Sequence, residues 1–169
     1  YITFVMDNYS KIILGYHVRM DKTFRGVIGA LKMALTQMEK QGGCHESLLV
    51  TDGGTENVNQ KVHDFLKRLT RHRIKRITAL KDIQFSNSPV EAIHRTLKGR
   101  YLPKKQVYTI ADLNEHLEWS VNDYNNRPHY KHKPRTPHEV YFNIPLPFDL
   151  KARMKSAMQK RIKKNLNGK

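Results

Sequence analysis

SLLVTDGGTENVNQKVHDFL, residues 47–66, and IKRITA, residues 74–79, are the stretches that decide the fold. The first begins as a short apolar strand that ends at Asp52. Val62 and Leu66, four residues apart, then lie at the spacing of one face of an amphipathic helix. IKRITA predicts a second strand. Strand, helix and strand in this order are typical of a parallel crossover in an α/β sheet.

Two strands are predicted before this unit, and several helices follow it. YITFVMD and KIILGYHVRM are rich in β-branched and aromatic residues, and the turn-like NYS between them predicts an antiparallel hairpin. LKDIQFSNSP, residues 80–89, is polar and contains breakers, which predicts a mobile surface loop. Apolar spacing and caps predict helices over 24–38, 62–69, 89–102 and 110–125, and a basic helical tail from Asp149 to Asn165.

The length of the chain favours one domain, and its charge favours binding to a polyanion. The 169 residues include 31 Lys and Arg against 15 Asp and Glu, which gives a net charge of +16. Such an excess attracts nucleic acid first, with a membrane surface or plain solubility as the alternatives. No apolar run approaches the roughly 20 residues of a membrane span. Cys44 is the only cysteine, so we expect no intramolecular disulfide and no cysteine-based zinc site.

Asp52 and Glu91 each have a structural and a functional interpretation. An aspartate at the carboxyl end of a strand lies where α/β sheets bind ligands, but in TDGGTEN it can also bond local amides. In SNSPVE, residues 86–91, Ser88 can cap a helix and Glu91 can close a capping box. TPHE at 136–139 has the same form. The pattern alone therefore leaves both interpretations open.

Three segments in order resemble the catalytic core of retroviral integrases and, more closely, of bacterial insertion-sequence transposases. VTDGGTENVNQKVHDFL contains Asp52 in the family's D-x-G context, and FSNSPVEAIHRTLKGRY has Glu91 at the start of a helix after 38 intervening residues. VNDYNNRPHYKHKPRTPHEVYF is similar to the family's closing segment. The resemblance covers residues 1–143. It implies a ribonuclease-H-like mixed sheet flanked by helices, within a core over 1–147, and it leaves 148–169 as a basic tail.

The resemblance also implies a function and a site. Asp52 and Glu91 are expected to be catalytic residues that bind Mg²⁺, or Mn²⁺ as a substitute, for DNA strand cleavage and strand transfer. Arg95 and Lys98, four and seven residues after Glu91, are expected on one helix face that contacts DNA; the alternative is a surface ion pair between Glu91 and Arg95. Arg127 is expected to reach a phosphate or a carboxylate.

Partners and location follow from the same resemblance. The expected partner is double-stranded DNA, both the element ends and the target, bound by a homo-oligomer. The expected location is the bacterial cytoplasm, with the nucleoid, and no membrane is involved. Two alternatives remain: a ribonuclease-H-like nuclease without strand transfer, and a non-catalytic nucleic-acid-binding fragment of a mobile element.

The family's first aspartate has no clear counterpart. Asp7 ends a strand, but FVMDNYSKIILGYHV resembles the family's second strand, turn and third strand, so we expect Asp7 to form a turn. The fold needs three antiparallel strands before its first helix, and this sequence supplies two. We therefore expect the first strand and its aspartate upstream of Tyr1, or another segment in its place, and weak metal binding and poor DNA cleavage without it.

Among the nine histidines, no pair has zinc-finger or HExxH spacing. His129 and His132, in RPHYKH, are expected to pack or to contact phosphate rather than metal. Trp119 is expected in the core or in an interface.

Overall fold

The computed structural model describes residues 1–42, 45–79, 88–102, 107–146 and 149–166. The strands are β1 (Ile2–Met6), β2 (Ile13–Val18), β3 (His45–Thr51) and β4 (His72–Thr78). The helices are α1 (Phe24–Glu39), α2 (Gln60–Lys67), α3 (Ser88–Thr96), α4 (Ile110–Asn125), α5 (Pro137–Tyr141) and α6 (Leu150–Leu166), and a π-helical turn (Leu97–Tyr101) extends α3. The predicted α/β class is confirmed. The predicted loop at 80–89 lies almost wholly outside the described residues.

The predicted antiparallel hairpin is confirmed. β1 and β2 pair from Ile2 opposite Val18 to Met6 opposite Ile13. The Asp7 side chain closes the turn, because its Oδ2 accepts hydrogen bonds from the backbone N–H and the hydroxyl of Ser10, both at 2.6 Å. Asp7 therefore forms the turn, as expected.

The β3–α2–β4 segment is the predicted parallel crossover. β3 and β4 run parallel, from His45 opposite His72 to Thr51 opposite Thr78. Val62 of α2 is fully buried and packs with α1 in one apolar cluster. The clear apolar periodicity of this stretch explains why the crossover could be predicted.

Helices cover both faces of the β1–β2 hairpin. Adjacent residues of a strand point to opposite faces, and Phe4 packs in a cluster with the α3 and α4 helices, whereas Val5 packs in the clusters on the α1 side. Ile93 and Leu97 bring α3 and its π-helical turn into the first cluster, where Leu117 of α4 is completely buried.

The α1 helix lies directly on β2 at Gly15. A Cβ added to Gly15 would lie 2.2 Å from the Ala30 carbonyl oxygen and 2.7 Å from the Ala34 backbone nitrogen. Both atoms belong to the helix backbone, which cannot rotate out of the way as a side chain can. Glycine at this position therefore sets how close the helix and the strand can be.

Capping boxes define the start of α4 and α5. Thr109 Oγ1 accepts from the Asp112 N–H at 3.1 Å, and the Asp112 carboxylate accepts from the Thr109 N–H at 3.0 Å. Thr136 and Glu139 form the same pair of bonds, at 3.1 and 2.9 Å. The capping form of TPHE at 136–139, noted in the sequence, is thus present in the structure.

The four strands form two separate sheets, not the single mixed sheet that we expected. Within the described ranges, β1 pairs only with β2 and β3 pairs only with β4. All of β1 and residues 47–51 of β3 line one groove of about 760 Å³, on the sides of these strands that carry no partner strand. The groove lies between β1 and β3, so these two strands do not form hydrogen bonds with each other.

The two groove strands run in opposite directions. The Tyr1 amine donates to the Arg19 carbonyl at 2.6 Å, so Arg19 lies beside the amino end of β1. Lys22, close by in sequence, forms an ion pair with Glu56 at 3.2 Å, and Glu56 follows the end of β3. The carboxyl end of β3, with Asp52, therefore lies at the amino end of β1.

The α6 helix forms the carboxyl-terminal end of the described residues. The α6 helix forms as predicted, and Met154, Met158 and Ile162 are exposed along it. None of the helices in the described ranges combines the length and the apolar run that crossing a bilayer requires.

Substitution of Gly15 tests the close contact between α1 and β2. Gly15→Ala should lower the free energy of unfolding by about 1–3 kcal/mol, because the added methyl group meets helix backbone. Gly99→Ala is the matched control: nothing lies within 4 Å of its added Cβ, so stability should stay the same or rise slightly. Urea denaturation of both variants measures the difference, and equal stability would contradict the described contact.

Candidate active site

Asp52 is the first residue after β3 and is exposed to solvent. Its Oδ1 accepts hydrogen bonds from the Gly54 N–H at 3.1 Å and from the Asn57 side-chain amide at 2.5 Å. The local amide bonds of the structural interpretation are therefore present. Both are made by one oxygen, and the other oxygen is compatible with a ligand from the groove that Asp52 lines.

The turn after Asp52 is fixed to the rest of the protein at two points. The Arg76 guanidinium of β4 donates to the Asn57 carbonyl at 2.7 Å. Glu56 forms the ion pair with Lys22 described above, and its side chain is only 13% exposed. These contacts hold Asn57, and through Asn57 the carboxylate of Asp52. Neither contact could be predicted from a local pattern, since both join residues far apart in the chain.

Glu91 lies in the first turn of α3 and is exposed. Val90 and His94, one residue before it and three after it, line the same groove as Asp52. Residues three apart are neighbours on a helix surface, so Glu91 lies next to the groove wall. The side chains of Ser88 and Pro89 lie outside the described residues, and the predicted cap between Ser88 and Glu91 remains a prediction.

Metal ligands are limited in the part of the chain that the structure describes. There, no three His, Cys, Asp or Glu side chains come together as a metal-binding group. Asp52 and Glu91 belong to two elements that border one groove, and carboxylate oxygens are the donors that Mg²⁺ prefers. Their chemistry suits the ion, but two carboxylates alone are a sparse set.

His94 is a groove residue that the sequence analysis did not single out. Its ring meets Phe4 of β1 edge to face, with the ring centroids 5.0 Å apart. Burial, and then the charge of Lys98, lower the pKa of His94. The ring is therefore neutral at pH 7. Its position three residues after Glu91 is the one sequence signal that could have identified it.

Arg95 and Lys98 are both exposed, on the side of α3 away from the buried Ile93 and Leu97. Among the ion pairs of the described residues, none joins Glu91 to Arg95. Lys98 lies in the π-helical turn, where the helix is wider than an α-helix. The two cations are available to an anionic ligand.

Arg127 is already paired within the protein. Its Nε lies 2.5 Å from Asp123 Oδ2, and its guanidinium carbon lies 6.0 Å from the centre of the Tyr101 ring. The Tyr101 hydroxyl donates to the same Asp123 oxygen at 2.7 Å. Arg127 thus reaches a carboxylate, one of the two outcomes expected for it, and a phosphate would have to compete with Asp123. This cluster fastens the end of the α3 extension to α4.

Asn125 has a structural role that the sequence did not reveal. Its side-chain oxygen accepts from the Ile13 N–H, and its amide donates to the Ile13 carbonyl, both at 2.9 Å. The side chain thus bonds the backbone of β2 as a neighbouring strand would and attaches the end of α4 to the hairpin.

Asp7 lies at the other end of the groove from Asp52. Because β1 advances about 3.3 Å per residue and its amino end adjoins Asp52, roughly 15–20 Å of strand separates the two carboxylates. This geometry agrees with the turn role of Asp7 and not with a shared metal site.

Comparisons with known proteins add no family. No family model matches this chain. No curated protein matches it either.

The Tyr101 cluster predicts a loss of stability at alkaline pH. Burial, with the hydrogen bond to Asp123, raises the pKa of Tyr101 to about 12, and burial raises the pKa of Tyr124 and Tyr141 to about 12. The unfolded tyrosines ionise near pH 10. The folded state therefore keeps more protons between pH 10 and 12, and its stability is full below pH 10 and falls as pH rises towards 12.

The variant Tyr101→Phe isolates the contribution of Tyr101 to this pH dependence of stability. At pH 7 it should cost about 1 kcal/mol through the lost hydrogen bond, and the fall in stability above pH 10 should become shallower. Tyr108→Phe, at an 80% exposed position, is the matched control and should change neither quantity. Chemical denaturation between pH 7 and 11.5 provides the measurement, and identical pH profiles for both variants would refute the role of Tyr101.

Proposed function

We propose that this chain is the core of a DNA transposase or integrase that cuts DNA strands and transfers them in a divalent-metal-dependent reaction. One observation carries the proposal: Asp52, at the carboxyl end of β3, and the first turn of α3, which contains Glu91, border the same groove. The three motifs that resemble the transposase family support the same reading, as does the net charge of +16.

A further strand between β1 and β3 would complete a ribonuclease-H-like sheet. Both strands expose an edge to the groove, and exposed N–H and C=O groups are a template for pairing. Because β1 and β3 run in opposite directions, one inserted strand would pair parallel to β3 and antiparallel to β1. Its carboxyl end would then lie beside Asp52, where it would supply a third acidic ligand.

Asp52 and Glu91 are the residues of this chain that would hold the metal. Bound Mg²⁺ supplies Lewis acidity and a lowered pKa for an attacking water or 3′-hydroxyl. The protein's own part is to orient the carboxylates: the Asn57 amide fixes Asp52, and the α3 helix presents Glu91 beside the neutral ring of His94.

The cations of α3 are positioned for the DNA backbone. Arg95 and Lys98 are exposed on the same helix as Glu91, so a phosphate beside the carboxylates lies within reach of their side chains. The Arg127–Asp123–Tyr101 cluster holds the end of this helix in place. Double-stranded DNA, bound by more than one copy of the chain, is the substrate of this proposal.

Strand transfer tests the function. A chain extended by a strand that pairs between β1 and β3 should join a labelled DNA end to a target in Mg²⁺ or Mn²⁺. Asp52→Asn and Glu91→Gln should each lower the rate at least about a hundredfold, since a metal site contributes several kcal/mol to the transition state. Asp64→Asn is the control, because it replaces an acidic residue in α2, away from the site, and it should keep the activity.

The products decide among the alternatives. Joined DNA supports the transposase, whereas nicks or RNA fragments alone would indicate a ribonuclease-H-like nuclease. Binding without any reaction by the extended chain would indicate a non-catalytic nucleic-acid-binding fragment. Activity that survives both carboxylate substitutions would eliminate the proposed site.

Duplex binding tests the cationic helix face. Lys98→Ala should weaken duplex affinity and reduce the slope of log K against log salt by about 0.9, the value for one lost phosphate contact. Lys155→Ala removes an exposed lysine from α6 and is the matched control for net charge. Equal salt slopes for the wild type and Lys98→Ala would contradict a phosphate contact at Lys98.

A further inference from the structure

Four aromatic rings lie side by side at the end of the groove opposite Asp52. Along the row, the ring centroids are 5.5 Å apart for Tyr9 and His132, 6.3 Å for His132 and His129, and 4.5 Å for His129 and Tyr130. Tyr9 belongs to the β1–β2 turn, and the other three belong to the loop after α4. We refer to these four residues as the aromatic row.

Two hydrogen bonds hold the segments of the aromatic row in place. His132 Nε2 lies 2.8 Å from the Tyr9 carbonyl oxygen, which joins the loop to the turn. The His129 N–H donates to the Arg135 carbonyl at 3.2 Å, which closes the loop on itself. The rings are therefore presented by two short, mutually bonded segments.

The outer rings of the row are open to solvent although they are large and flat. Tyr9 is 76% exposed and Tyr130 is 72% exposed. Neither residue belongs to the buried clusters, so core packing does not explain them. Exposed aromatic faces that do not serve the core are suited to a ligand that is itself flat.

The surroundings of the row are cationic. Lys131 and Lys133 are exposed in the same loop, and Lys11 lies close enough to Lys131 for their charges to interact. The carboxylate facing Lys11 is that of Asp7, which also accepts two hydrogen bonds from Ser10. Burial, with the nearby His132 and lysine charges, lowers the pKa of His129, and its ring is neutral at pH 7.

We infer that the aromatic row binds unpaired nucleotides, whose bases stack on Tyr9 and Tyr130 while Lys131 and Lys133 contact the phosphates. Only unpaired bases offer a free face to a protein ring, because in a duplex each face is covered by the next base pair. Stacking on aromatic side chains beside cations is the general mode of single-strand binding. The inference does not depend on the carboxylate pair, which lies at the other end of β1.

Fluorescence anisotropy with labelled dT20, rU20 and a 20-base-pair duplex tests the inference on the full chain. Tyr9→Leu and Tyr130→Leu keep an apolar side chain but lose the ring, and each should weaken single-strand binding about 5- to 100-fold. Duplex binding should stay within about twofold. Tyr9→Phe and Tyr130→Phe keep the ring and should bind as the wild type does, which also shows that the leucine effect concerns the ring.

Further variants separate stacking from charge and from the proposed catalysis. Tyr108→Leu, at an 80% exposed tyrosine outside the row, should bind dT20 as the wild type does. Lys131→Gln should lower the salt slope for dT20 by about 0.7, whereas the tyrosine variants should leave the slope unchanged. Asp64→Asn should leave dT20 binding unchanged. Single-strand binding and strand transfer are measured separately, so a failure of strand transfer and a failure of the aromatic row are distinguishable.

Three results would overturn the inference. One is wild-type affinity for dT20 and rU20 in both leucine variants, as judged at several salt concentrations. Another is an equal loss of single-strand and duplex affinity. The third is competition by polyglutamate as effective as that by unlabelled dT20, which would indicate a site for any polyanion. If the leucine substitutions weaken the binding of only one of dT20 and rU20, the inference holds. The affected oligonucleotide then identifies the ligand as DNA or as RNA.

Discussion

Backbone hydrogen bonding along β1 and β3 is the constraint on which the arrangement of this protein depends. Each strand has one partner among the described residues and presents its other edge to a shared groove. Strand edges are costly to leave open, and these two edges run in opposite directions, as one intervening strand would require. The same groove ends at Asp52 and is bordered by α3. In the proposed fold, the strand that would complete the sheet would also complete the candidate site.

Local pattern was enough to predict much of the fold. The β3–α2–β4 crossover follows from Val62 and Leu66 at helical spacing between two apolar strands, and the Thr136 capping box follows from residues three apart. The division into two sheets could not be predicted. It depends on which strand edges meet in space, and that is a property of distant segments that no short window of sequence contains.

The residue types of the candidate site could be predicted from the sequence, but the contacts that hold these residues in place could not. Asp52 and Glu91 stood out by position, at a strand end and in a first helical turn. Asn125, which bonds the backbone of β2 from the end of α4, and the Lys22–Glu56 ion pair join residues far apart in the chain. Arg127 shows the reverse difficulty: the motif identified the residue, but only the structure shows that Asp123 already pairs with it.

The central claim is that Asp52 and Glu91 share one divalent ion. Paramagnetic broadening of amide NMR signals by substoichiometric Mn²⁺ tests it most directly, because signals near a bound ion disappear even when binding is weak. The account predicts joint loss of the signals of Gly53 and Gly54 and of Ala92 and Ile93, and recovery of both groups in Asp52→Asn and in Glu91→Gln. Broadening at one segment only, or recovery of only one group in each variant, would contradict a shared site.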